Sequence, residues 1–121
     1  DIYDAKIINF GIDFKVTADS RFISFDIVGR CVEAIKNYFS NQLYIGEPVY
    51  TTRLYSILSK VEGVSDVKKV NIFQKSGGNY SITRMNFDEA LSRDGTYIKA
   101  PRNVIMELKY PNIDIKGTII R

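Results

Sequence analysis

The chain has 121 residues, 45% of them hydrophobic, which suits one domain built around one packed core. Its net charge of +3 comes from acidic and basic residues interspersed along the chain, which excludes a charged tail and argues against a dedicated polyanion binder. With no histidine and one cysteine, Cys31, the chain can form neither an internal disulfide nor a zinc site of Cys and His ligands.

No apolar run approaches the roughly 18 residues that a membrane span needs, and no signal-peptide pattern occurs, so membrane insertion is not expected. The first residue is Asp1, and Asp1 to Ala5 lead straight into a strand-like run. The chain therefore reads as a single domain, 1–121, taken from a longer polypeptide.

From Asp4 to Val16 the residues alternate, with Ile8, Phe10, Ile12, Phe14 and Val16 on one face and Asn9, Gly11, Asp13 and Lys15 on the other. This predicts a half-buried strand. "TADSR" at 17–21 ends it, and Phe25, Val28, Val32, Ile35 and Phe39 then recur at helical spacing. The expected helix starts between Ser20 and Ser24 and ends near Asn41. Gly29 inside it costs about 1 kcal/mol relative to alanine, which points either to a close contact with a neighbouring element or to simple tolerance, the latter slightly favoured.

"YIGEPVY" at 44–50 cannot continue the helix, because Pro48 lacks a donor and pushes Glu47 toward extended geometry. Thr51 or Thr52 then caps a second helix with Leu54, Ile57, Leu58 and Val61 on one face. Gly63 is placed to turn left-handed past its end, so that Val64 folds back against Leu58 and bonds a late helical carbonyl.

"DVKKVNIFQ" reads as a strand and "SGGNYS" as a connection to a second strand at Ser81 to Arg84, which together predict a hairpin. Met85 to Asn103 reads as a long loop, with one helical turn at "FDEAL" and a turn at "RDGT". "NVIMELKY" and "IDIKGTII" alternate on either side of "PN", which predicts a terminal hairpin. The order strand, helix, helix, strands gives an α+β domain with two helices on one face of a largely antiparallel sheet.

The search for chemistry returns little. "SGGNYS" lacks the Gly-Lys-Ser/Thr ending of a phosphate loop, and no dinucleotide fingerprint is present, so no cofactor is expected. Asn79-Tyr80-Ser81 matches a glycosylation triplet by pattern alone. Asp88, Glu89 and Asp94 lack calcium-loop spacing and mark no acid and base pair. Cys31 lies in a helical pattern without the histidine that commonly activates a thiol, and reads as a packing residue. No catalytic, cofactor or metal residue is assigned, and the chain reads as a non-enzyme.

Two binding readings remain. Eight tyrosines, seven phenylalanines and 17 basic residues could form a nucleic-acid-binding sheet with exposed aromatic and basic groups. Against it, Phe10 and Phe14 fall on the face expected to be buried, Lys68 and Lys69 alternate sides of a regular strand, and no RNA-recognition signature occurs. The other reading is protein contact. Tyr38, Tyr44, Tyr50 and Tyr55 gather around the linker between the helices, where tyrosine suits an interface as well as partial burial. With Phe39 they form the candidate interface, and Gly46, Gly63 and Val64 are the candidate structural joint.

Read together, the run "VEAIKNYFSNQLYIGEPVYTTRLYSILSKVEGVSDVKKVNI" resembles the baseplate J family of contractile phage tails over residues 25–73. The resemblance rests on Ile45 with Gly46, the Leu54 to Leu58 helix face, and Val61, Gly63, Val64 and Val67; the closing "DIKGTI" is also similar. It implies a structural virion protein of the tail baseplate, assembled in the bacterial host cytoplasm. It further implies contacts with copies of itself, as a homodimer or in a ring, and with other baseplate wedge proteins. The implied role is to pass on the rearrangement that triggers sheath contraction and DNA delivery, with no active site, no direct nucleic acid contact and no membrane insertion.

Overall fold

One long strand, β1 (Lys6–Ala18), is the axis of the main sheet. The computed structural model describes residues 5–120; Asp4, where the alternation places the start of this strand, lies outside them, as do the residues before it and Arg121. β1 is followed by helix α1 (Ser24–Tyr38), a two-residue strand β2 (Val49–Tyr50), helix α2 (Thr51–Ser59) and strand β3 (Val64–Lys75). Then come a single helical turn α3 (Phe87–Ala90), a short strand β4 (Tyr97–Ile98), strand β5 (Val104–Glu107), a second single turn α4 (Pro111–Asp114) and strand β6 (Ile115–Ile120). The class is α+β, as the periodicities predict.

The topology departs from the expected one. β3 does not form a hairpin with Ser81 to Arg84; it runs antiparallel to β1, from Asn9 opposite Lys75 to Ala18 opposite Val64. The other side of β1 is shared by two strands, β5 along Lys6 to Asn9 and β6 along Ile12 to Thr17, both parallel to it. The sheet is therefore mixed rather than largely antiparallel. The predicted terminal hairpin is absent because Pro111 opens α4 instead of a reverse turn: Ile113 and Asp114 both donate to Tyr110 O, at 2.9 and 2.8 Å. Proline favours the first helical position as readily as a turn, so "PN" is locally ambiguous. After one helical turn the chain resumes its former direction, and β5 and β6 act as one interrupted strand. The interruption sits beside Gly11, where a Cβ would lie 3.0 Å from Asp114 O and 2.7 Å from the Phe73 ring.

Ile8, Phe10, Ile12, Phe14 and Val16 are all buried on one face of β1, as the alternation predicts. They meet Ile27, Cys31 and Ile35 of α1, Leu54 and Leu58 of α2, and Met106 and Ile115 of the neighbouring strands. The buried stripe of α1 differs from the expected one: Ile35 is shared, but Phe25 is 84% exposed and Ile27 and Cys31 take the central places. Both stripes have helical spacing, and only the direction in which the sheet lies selects between them. The helical layer is also less simple than two helices on a sheet, since α2 follows directly from β2, which pairs antiparallel with β4 in a separate small ribbon.

Helix ends differ from the sequence reading. α1 stops at Tyr38, and both long helices start without a side-chain cap, at Ile23 and Tyr50. Thr51 is the first residue of α2, and its hydroxyl donates to Gly95 O at 2.6 Å, tying the helix to the 92–96 turn. That turn is organised by Asp94, which accepts from Ser92 Oγ, Thr96 N and Thr96 Oγ1. Hydrogen bonds from Thr96 and Ser92 hold the Asp94 carboxyl below its ordinary pKa. Gly29 has open space around it, consistent with tolerance.

Candidate interaction surfaces

The linker between α1 and α2 is fixed by a tight turn. Tyr44 N–H donates to Glu47 Oε1 at 2.7 Å, Glu47 N–H donates to Tyr44 O at 3.0 Å, and Gly46 takes the positive φ of 77° that the third position of such a turn needs. Gly46 N–H donates to Val104 O at 2.7 Å, which pins the linker to β5. The turn thus presents Tyr44, 80% exposed, with the exposed Ile45 beside it.

The other candidate aromatics have distinct settings. Phe39, just past α1, is half-buried and meets the Phe10 ring edge-on at 5.5 Å, so it belongs to the rim of the core; Tyr38 packs edge-on against it at 4.8 Å and stays exposed on its outer side. Tyr50 tilts against Tyr97 across the small ribbon at 5.9 Å. Tyr55 reaches the edge of β3, where its hydroxyl accepts from Val70 N–H at 3.2 Å. The structure therefore joins Tyr38 to Phe39 and Tyr50 to Tyr97, and places Tyr44 alone at the turn. Among the described residues, no ring contact links the five into one cluster.

The joint is built differently from the sequence reading. α2 ends at Ser59, and Val64 N–H donates to Val61 O at 3.1 Å, a carbonyl past the helix end rather than a late helical one. Gly63 is nevertheless left-handed, with φ 97°, and a Cβ there would lie 3.1 Å from Ile27 and 3.2 Å from Phe22. Its carbonyl accepts from Asp19 N–H at 2.9 Å, so one residue ties the turn to α1 and to the end of β1. Val64 is half-buried against the core and opens β3 opposite Ala18.

The face of the sheet turned away from α1 and α2 divides in two. Around Asn9 it is covered by the 77–85 segment, which the sequence assigns to a hairpin, and at Gly11 by the Phe73 ring. Asn9, 1% exposed, accepts from Ser81 N–H at 2.6 Å and donates to Glu107 Oε1 at 2.7 Å. Tyr80 donates its hydroxyl proton to the buried Asp114 at 2.7 Å, and that hydrogen bond, with desolvation next, pushes the Tyr80 phenol up to about 12. Lys75 lies 3.8 Å from the same Asp114 oxygen and 5.2 Å from the centre of the Tyr80 ring. Gln74, opposite Phe10 and so on the helical face, holds the far end of the segment, donating to Thr83 O at 2.9 Å and accepting from Met85 N–H at 3.1 Å.

Beyond this cover the face is open. Asp13 and Lys15 of β1, Asn71 and Lys69 of β3, and Lys116 and Thr118 of β6 are all exposed on it. Sequence reasoning singled out none of the three lysines as a group, because they come together only when three distant strands pair. The alternation of "DFKV" and "IDIKGTII" was the available signal for Lys15 and Lys116. A bulge of β3 opposite Lys15 and Val16 leaves Lys68 as the extra residue, ion-paired to Asp66 at 2.9 Å, while Lys69 stands directly opposite Lys15.

Cys31 is buried in the core, where desolvation pushes its thiol up to about 11, the setting of a packing residue. Among the described residues no helix is long and apolar enough to cross a membrane. No protein-family profile matches the chain, and comparison with curated proteins gives no match.

Proposed function

We propose that the chain is an assembly domain of a contractile phage tail baseplate, acting through protein contacts as part of a ring-forming wedge protein of the kind found in T-even phages. The observation that carries this reading is the rigidly presented aromatic turn: Tyr44 is 80% exposed on a backbone fixed at both Glu47 and Val104. A large ring with only two side-chain torsions, carried on a fixed backbone, loses little entropy on docking, which is why such residues serve as anchors in interfaces.

The residues that carry the family resemblance form one continuous unit, α1, linker, α2, joint and β3, with the linker and joint glycines, Gly46 and Gly63, both left-handed. A unit locked at Gly46 and Gly63 moves as a rigid body, as a part must if it is to pass a rearrangement between neighbouring subunits. Its partners in this reading are copies of itself and other baseplate wedge proteins in the virion. A nucleic-acid-binding module is the competing reading; the open face has lysines for it, but Phe73 lies over Gly11 and Phe10 and Phe14 are buried, so exposed stacking rings are lacking there.

Sedimentation equilibrium across a wide concentration range is the test. The expected result is reversible self-association that Tyr44→Ala weakens while the fold is kept. A chain that stays monomeric and also fails to bind other wedge proteins overturns the assembly reading, and affinity for nucleic acid that falls steeply with salt favours the competitor.

A further inference from the structure

We infer that the open face of the sheet is a second docking surface, one that receives an acidic segment of a partner protein. Six exposed side chains form two rows across three strands: Asn71, Asp13 and Lys116 in one, Lys69, Lys15 and Thr118 in the next. They line a shallow hollow of about 410 Å³. Lys15 and Lys69 are directly opposite each other on antiparallel strands, an arrangement in which like charges destabilise the sheet. No ion pair engages Lys15, Lys69 or Lys116 among the described residues, although Lys75 and Lys68 find carboxylates. The fold keeps three ammonium groups together against one carboxylate, Asp13, and an anionic partner would relieve the repulsion that remains.

The chemistry favours carboxylates on a polypeptide over a nucleic-acid backbone. A nucleic-acid track needs a longer run of cations and rings on which bases stack, whereas these rows are one sheet wide and contain no aromatic residue. Asn71 and Thr118 at opposite corners add neutral groups able to bond a peptide backbone. β6 pairs with β1 alone among the described strands, so the rows run out to an open sheet edge and an extended segment can lie alongside Lys116. The surface is separate from the Tyr44 turn, and the inference does not depend on the baseplate reading.

The test uses the full chain with a labelled oligo-glutamate peptide and, in parallel, an oligo-thymidylate of equal charge, both followed by fluorescence anisotropy. The peptide is expected to bind with an affinity that falls as salt rises. Replacing Lys15, Lys69 and Lys116 together by glutamine weakens it by about tenfold or more, while Lys60→Gln with Lys99→Gln, at exposed lysines outside the rows, changes it less than about twofold. Failure of the peptide to bind, or equal loss in both variants, overturns the inference; tighter binding of the oligo-thymidylate overturns the choice of partner. Lys69→Gln alone gives an independent reading. It should raise Tm at low salt by relieving the pair with Lys15, with the gain shrinking as salt rises, and a lowered Tm contradicts the strained-charge argument.

Discussion

On the helical side of β1 every inward residue from Ile8 to Val16 is buried, and the contacts are apolar throughout. On the other side the same strand changes character halfway: Asn9 is buried beneath the 77–85 segment and Gly11 beneath the Phe73 ring, whereas Asp13 and Lys15 are exposed. The first side is held by the area it removes from water, a diffuse force that many apolar sequences could supply. The covered part of the second is held by a few directed bonds, to Asn9 and Asp114, each of which requires a particular residue. Glycine has a role on both sides. Phe14 fills the space a Cβ at Gly117 would take, and Phe73 does the same at Gly11, so each face uses an aromatic ring laid over a glycine of a neighbouring strand.

If the helical side rests on volume, Phe14→Ala is its most damaging change. Removing a ring that is 2% exposed and leaving Gly117 uncovered should cost about 3–5 kcal/mol, read as a fall in the denaturant midpoint. Gly63→Val attacks the fit of α1 to the joint. A β-branched residue at φ 97° beside Ile27 and Phe22 should cost about 2 kcal/mol or more, and an unchanged Tm would show that the joint relaxes freely.

The opposite side is tested through Tyr80→Phe, which removes the bond to Asp114 and should destabilise the chain less than Gly63→Val does. Because the folded phenol is raised to about 12 from an ordinary value near 10, its stabilisation is complete below about pH 10. It is lost as pH climbs to about 12. A base titration of the wild type and of Tyr80→Phe should differ in that window, and coincident curves would remove Tyr80 from the account. Gly29→Ala is the mildest change and has the opposite sign. With open space around Gly29 in the helix interior, alanine should add up to about 1 kcal/mol, and a lower Tm would reveal a contact to α1 that the structure does not show.

Much of the interface proposal was legible in the sequence, but unevenly. Pro48 marks the linker, and the structure exposes Tyr44 on a turn within it. Phe39 could not be separated from its neighbours by pattern, because it lies at helical spacing from Ile35 and its contact with Phe10 depends on where β1 passes. Alternation places Lys15 and Lys116 on outward faces, but their grouping with Lys69 was not legible, since the three are far apart in the chain and meet only when their strands pair.

The sequence by itself determined the α+β class, the buried face of β1, the approximate extent of α1, and the left-handed glycine at position 63. These follow from local rules, side-chain period and allowed backbone angles, which operate over a few residues. Tertiary structure decided which strands pair, that β5 and β6 run parallel to β1 on one side of it, and which of two equivalent stripes of α1 is buried. A period of two fixes which side chains share a face but not which strand lies beside them, and "PN" serves a turn or a helix start equally well. Those choices were settled where distant segments meet, by how Asp114 fits against Gly11, Phe14 against Gly117 and Phe73 against Gly11.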